Sequence, residues 1–198
     1  MRKMKIIGFA IIILGFVSII AAVLFGNARG NSIKVIEEEA WSLGDLIEYE
    51  EDHAQQFAKI HAVGEPHLFA QKENSGSKGY YFVVDDNYNY IVYMTEATAK
   101  KLASDGELEL RGVTKEFTND LRTAAVNWME QMNEENEINT TNFRLYFGAT
   151  YLDTTVDAKA LTTELNMAIR VSAVLGVCLI ILGLILLYIR RPQAESHQ

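Results

Sequence analysis

The chain has 198 residues, 49% of them hydrophobic and 22% charged, with a formal net charge of −8. Residues 6–25 and 171–189 nevertheless carry no charge at all, in runs of 20 and 19 residues. Such runs span roughly 30 and 28 Å as helix and exclude a soluble globular protein, while the single Cys excludes a disulfide scaffold and the apolar content a disordered chain.

In chain order, Arg2, Lys3 and Lys5 precede the first apolar run, and Arg190 and Arg191 follow the second. Basic residues beside membrane segments stay cytoplasmic. The expected layout is a cytoplasmic tail (1–5), a first span (6–25), an extracytoplasmic domain (28–166), a second span (171–189) and a second cytoplasmic tail (190–198). This is a two-span protein of the cell membrane. Arg170, at the outer edge of the second span, reaches the interface by snorkelling. Gly26 and Ala28 also fit a signal-peptide cleavage site. The apolar run exceeds the roughly 7–15 residues of a signal core, so an uncleaved anchor is expected. Within the spans, Ser18, Ala22 and Gly26 lie four apart, as do Ala168, Ser172 and Gly176. Small residues at that spacing let helices approach closely, here as a hairpin of the two spans or against another membrane protein. Neither span has an ionisable residue at its centre, which argues against a channel or transporter. Cys178, mid-span, reads as an inert packing residue.

The segment 28–166 holds 12 Lys and Arg against 25 Asp and Glu, a net charge of −13. That charge repels nucleic acid and anionic lipid headgroups. Residues 31–52 read as a helical stalk, with Ile33, Ile36, Ala40, Leu43 and Ile47 at helical spacing and Gly44 as an interruption. Phe57, Lys59, His61 and Val63 alternate with Ala58, Ile60 and Ala62, which predicts a strand that bends at Gly64-Glu65-Pro66. Tyr80 to Val84 and Tyr90 to Met94 are aromatic and β-branched runs around an Asx-rich turn, a hairpin signal. Thr95 caps a short helix, 96–103, ended by Ser104-Asp105-Gly106. A strand follows over 107–114. Thr118 caps an amphipathic helix whose apolar face is Leu121, Ala124, Ala125, Trp128 and Met132, fading at Asn133–Asn136. Phe143 to Leu152 reads as the last strand, and 153–166 as a short helix.

The order places the domain in the α+β class. Strand–strand–strand–helix–strand–strand is the order of an OB-fold, a partly open five-stranded barrel, here with an added helix before the last strand. A generic α+β sheet packed by helices is the alternative. Val63-Gly64 in the first strand and Leu110-Arg111-Gly112-Val113 in the fourth resemble the V-x-G and x-x-G-V pieces of bacterial extracytoplasmic OB-like domains. The layout as a whole resembles uncharacterised two-span membrane proteins of Gram-positive bacteria. The resemblance covers residues 56–152. It implies an OB-like core and a topology, and carries no functional residues.

Candidate chemistry is sparse. Asp85, Asn87, Asn89 and Glu96 match positions 1, 3, 5 and 12 of a calcium loop, but Tyr90 stands where the loop needs Gly and both flanks read as strands. A hairpin turn is expected, with a non-EF cation contact as the functional reading and no other metal site. His53, His61 and His67 lack metal-ligand spacing and read as surface or half-buried residues. No nucleophile motif or phosphate loop is present, so neither an enzyme nor a cofactor is expected. The aromatic ladder of Tyr80, Phe82, Tyr90 and Tyr93 offers an interaction surface for a peptide or glycan, or else fills the core and packs under a helix. The expected function is a non-enzymatic accessory or sensor subunit of an envelope complex, whose partners are the lipid bilayer and another membrane or envelope protein, without nucleic acid. Direct binding of a small ligand, cation or glycan on the barrel face is the alternative.

Overall fold

The computed structural model describes residues 2–48, 54–71, 76–85, 88–132 and 137–188. His53, Asn87, residues 49–52 of the stalk, Asn133–Asn136 and the tail 190–198 lie outside the described residues. The chain divides into two compact units, one made of the segments up to Lys34 and from Thr162 onward, the other of Val35–Leu161.

The first unit is helical. Helix α1 (Arg2–Glu38) is unbroken over 37 residues, roughly 55 Å at about 1.5 Å per residue. The expected span and the first part of the expected stalk are therefore one helix, and neither Gly26 nor Gly30 interrupts it. A 3-10 turn (Ala158–Thr162) leads into the last helix, α6 (Thr163–Tyr188). Both helices are long and apolar enough to cross a membrane.

The second unit is α+β, built on a six-stranded mixed sheet. Strand β1 (Trp41–Ser42) pairs parallel with β2 (Phe57–Ala70), and helix α2 (Leu43–Glu48) follows β1. The break in the stalk thus falls at Trp41–Ser42, not at Gly44. Leu43 and Leu46 of α2 are the buried positions. Strand β2 runs through Gly64-Glu65-Pro66 with a register shift between Val63 and His67, the bend that the sequence predicts. Gly64 takes φ +77°, a left-handed conformation that only glycine adopts at little cost, and its N–H donates to the Gly106 carbonyl at 2.8 Å.

Beyond the bend, β2 pairs antiparallel with β3 (Lys78–Asp85), and β3 with β4 (Tyr88–Thr95). Helix α3 (Glu96–Asp105) is capped as its sequence dictates. Thr95 Oγ1 accepts from the Thr98 N–H at 3.1 Å, and Gly106 closes the helix at φ 80°. Strand β5 (Glu107–Glu116) then pairs antiparallel with the first half of β2. Helix α4 (Asn119–Met132) starts on Thr118, whose hydroxyl accepts from Leu121 N–H at 3.2 Å.

The expected strand over Phe143–Leu152 is mostly not a strand. Phe143–Phe147 forms a short helix, α5, and only β6 (Thr150–Asp153) is extended. Phe143 and Phe147, four apart, are both buried on one side of a helical turn, which outweighs the β propensity of an aromatic run. Strand β6 pairs parallel with β4 and antiparallel with β5. The pairings from β2 through β3, β4, β6 and β5 therefore return to β2.

The sheet buries both faces. One is lined by Ala58, Ile60, Val83, Val92, Met94 and Leu152 and closed by Leu43 and Leu46 of α2 and Ala99 and Leu102 of α3. On the other, Tyr80, Phe82, Ile91, Tyr93 and Tyr151 meet Leu121, Ala125 and Val126 of α4 and Phe143 and Phe147 of α5. Met132, expected on the apolar face of α4, is 66% exposed, and Val126 takes part in the core in its place.

Candidate functional site

The aromatic ladder is interior. Tyr80, Phe82, Tyr90 and Tyr93 are 3–8% exposed, so none offers an open face for stacking a ligand. Strand alternation separates them: Tyr90 enters the first core, while Tyr80, Phe82 and Tyr93 enter the second. Tyr80 packs on Tyr93 with ring centroids 4.7 Å apart, and Phe82 on Phe147 of α5 at 5.6 Å. Trp128 of α4 covers Phe82 at 5.0 Å and lies 6.0 Å from the exposed His67. The surface expected from the sequence is therefore the seat of the chain's own α4 and α5.

The calcium-loop spacing is not realised. Asp85 pairs with Tyr88 at the tip of the β3–β4 hairpin, and Asn89 with Val84. Glu96 starts α3 at the far end of β4, about 23 Å away at about 3.3 Å per residue. There it holds Lys100 at 2.6 Å, and this hydrogen bond keeps the Glu96 carboxyl below the ordinary carboxylate range. Asp85, Asn89 and Glu96 cannot meet on one ion. His61 faces Glu107 at 3.4 Å on the surface. Among the described residues no group of three or more His, Cys, Asp or Glu could hold a metal ion.

The two apolar helices meet on a set of small residues that shares only Ala22 and Gly176 with the expected one. Gly8 faces Gly183, Gly15 faces Gly176, and just before the start of α6 Arg29 Nε donates to Thr162 Oγ1 at 3.0 Å. In every one of these pairs the residue numbers sum to 191, so each seven-residue step along α1 is matched by seven in α6. A Cβ on Gly15 would lie 2.8 Å from the Gly176 carbonyl oxygen, and one on Gly8 3.1 Å from that of Gly183. The repeat is thus seven, the signature of left-handed antiparallel packing, and not four. Ala22 belongs to the series and is buried, as is Gly176. Ser18, Ala168 and Ser172 are only half-buried, and around Gly26 nothing lies within 4 Å of an added Cβ. The outward positions are large and apolar, such as Phe9 at 60% exposure and Val174 at 64%.

A polar cluster that sequence reasoning missed sits where β5, β6 and β4 adjoin. Asp153 is 3% exposed, and its Oδ2 accepts from Lys115 Nζ at 2.6 Å. Its Oδ1 accepts from Thr155 N–H at 2.9 Å and Thr155 Oγ1 at 2.7 Å. A buried carboxylate requires this kind of satisfaction, because the charged form is otherwise costly to desolvate. On the same face Tyr151 lies edge-on to Tyr80, with centroids 5.3 Å apart. Burial, then a hydrogen bond with Tyr80 and the charge of Asp153, push its phenol far above the ordinary value. The only hint in the sequence was parity: in a strand Tyr151 and Asp153 share a face, so a buried Tyr151 carries Asp153 inward with it.

This has a consequence in alkali. The unfolded chain releases the Tyr151 proton near pH 10, whereas the folded chain keeps it, so the unfolded state binds fewer protons above that pH and folding stability falls. Melting temperature of the detergent-solubilised protein is expected to drop steeply above about pH 10. Tyr151→Phe, which cannot ionise, should show a shallower alkaline limb; an unchanged limb would place the alkaline sensitivity elsewhere.

Beside this cluster a cavity of about 470 Å³ opens at the end of β5. Its lining includes Val113, Val156, Leu161, Lys115, Glu116 and Gln55. Gln55 has φ 62°, the only non-glycine positive φ among the described residues. Its N–H donates to the Thr114 carbonyl at 2.8 Å, and that of Gln56 to Thr114 Oγ1 at 3.0 Å, which fix the turn. In comparisons with known protein families, curated proteins and solved structures, nothing matches this chain.

Proposed function

We propose that this chain is a non-enzymatic integral membrane protein that presents an OB-like extracytoplasmic domain and serves as an accessory or sensor subunit of a cell-envelope complex. The cyclic pairing of β2, β3, β4, β6 and β5, with β4 and β6 parallel and α3 between β4 and β5, supports the OB-like reading. In that fold α4 and α5 are additions before the last strand. The basic residues outside both apolar helices support cytoplasmic termini.

The observation that carries the partner-protein reading is the filled outer face. OB-type domains take oligonucleotides and sugars on the face of their second and third strands, β3 and β4 here. In this chain Leu121, Ala125, Phe143 and Phe147 occupy that face. The net charge of −13 over residues 28–166 opposes nucleic acid further. Crosslinking in the native membrane, followed by purification of the full-length chain and mass spectrometry, tests this. One protein recovered at near-stoichiometric yield is expected. Recovery of the chain without an enriched partner would refute the accessory role.

A further inference from the structure

The register of the two apolar helices points to a docking surface. We propose that Arg170, on the outward side of α6, pairs within the hydrocarbon layer with an Asp or Glu carboxylate on a membrane-spanning helix of another protein. The proposal rests on the accessory reading and adds where the partner docks and what chemistry it brings.

Arg170 stands deeper in the pair than its place in the sequence suggests. It immediately precedes the charge-free run of α6. The contacts Gly8–Gly183, Gly15–Gly176 and Arg29–Thr162 fix the register, which sets Arg170 level with Ala21. That level is four residues inside the charge-free run of α1, which ends at Phe25. Val23, Leu24 and Phe25, on the far side of that level, still expose their side chains, as do Leu184 and Ile185 at the other end of the pair. In the common register Phe25 and Ile185 lie about 28 Å apart along the helices, which a hydrocarbon layer of roughly 30 Å covers. A layer so placed holds Arg170 about 6 Å inside its edge.

Nothing in the pair answers that charge. Arg170 is exposed and has no ion-pair partner among the described residues. Gly176 marks the side of α6 that meets α1, and Arg170 lies about 120° around the helix from it. Met167, Val174, Val177 and Ile181 share its outward stripe, and each is more than half exposed. An intramembrane guanidinium is costly unless paired, and such groups face the interior of a helix bundle. Two helices have no interior on this side, so a third helix supplies it. A carboxylate is the fitting counter-group, because the planar guanidinium engages both of its oxygens at once. The apolar stripe then packs on the partner's helix in place of lipid. Snorkelling to a lipid phosphate is the competing outcome.

The test uses the full-length protein in its native membrane, with a photoreactive benzoylphenylalanine in place of Val174, one turn from Arg170. Irradiation is expected to give one protein adduct, joined at an apolar span that contains Asp or Glu. Arg170→Leu should lower the adduct several-fold and leave the melting temperature of the detergent-solubilised protein unchanged. Arg170→Lys, which keeps the charge, should retain most of the adduct. Arg170→Glu should abolish it, and Lys at the partner's acidic position should restore it. Adducts to lipid alone, a joined span without a carboxylate, or an adduct undiminished by Arg170→Leu would overturn the proposal. In each of those cases a partner still recovered by general crosslinking leaves the accessory role standing, whereas no partner by either method refutes both.

Discussion

Gly112→Ala is expected to cost about 3–4 kcal/mol of folding stability, lowering the melting temperature of the detergent-solubilised protein by about 10 °C. An added Cβ at Gly112 would run into the carbonyl oxygen and carbon of Asp153 and come within 2.8 Å of the Thr154 Cα. All of these are backbone atoms, so no side chain can swing away. The strand cannot retreat either: β5 is hydrogen-bonded to β2 on one edge and to β6 on the other. Gly64→Ala is the matched control. Space around it is open, but its φ is +77°, so its cost is backbone strain alone, about 1 kcal/mol. Equal losses at the two positions would show that close approach is not what Gly112 provides.

The second large effect is expected in the helix pair. The seven-residue register that joins Gly8 to Gly183 and Gly15 to Gly176 assigns Ile169 as the neighbour of Ala22. In a Cys178→Ser background, cysteines at positions 22 and 169 should form a disulfide in high yield in native membranes. Adding Gly15→Ile should lower that yield at least several-fold. The new side chain must enter where the Gly176 carbonyl oxygen and Ile180 lie 2.8 Å and 2.7 Å from even a single Cβ. Adding Gly26→Ile should change nothing, since that position faces open space. A large loss with Gly26→Ile and none with Gly15→Ile would restore the four-residue stripe as the packing surface.

These two glycine sets show what was legible in the sequence. The apolar runs announced two helices and their small residues announced close packing. Small residues at several spacings compete in such a run, and only the partner helix chooses among them, so Ser18 and Gly26 could not be separated from Gly8 and Gly15. Within the domain, local signals decide several features. The Thr95 and Thr118 caps, the Gly106 stop, the bend at Gly64 and the β3–β4 hairpin are all decided within a few residues, and the structure has them. Tertiary effects were not legible. Phe143-Arg144-Leu145-Tyr146-Phe147 has the composition of a strand and becomes a helix because Phe143 and Phe147 fill the second core together. The Asp85–Glu96 spacing looked like a loop, yet β4 holds its two ends apart.

The Lys115–Asp153 pair and the cavity beside it escaped for the same reason. Lys115 and Asp153 are 38 positions apart and are joined only by the pairing of β5 with β6. Gln55 carried no sign of its positive φ, because nothing in Ala54-Gln55-Gln56 calls for a turn. Parity on β6 was the one available clue.

The accessory role depends on the proposed placement of residues 28–166 outside the membrane, since an envelope partner requires it. The direct measurement is labelling of single cysteines in intact cells with a membrane-impermeant thiol reagent, in a Cys178→Ser background. Glu130→Cys, at an exposed position on α4, is predicted to label in intact cells, and Lys5→Cys only after the cells are permeabilised. Labelling of Lys5→Cys in intact cells, with Glu130→Cys protected, would contradict the account.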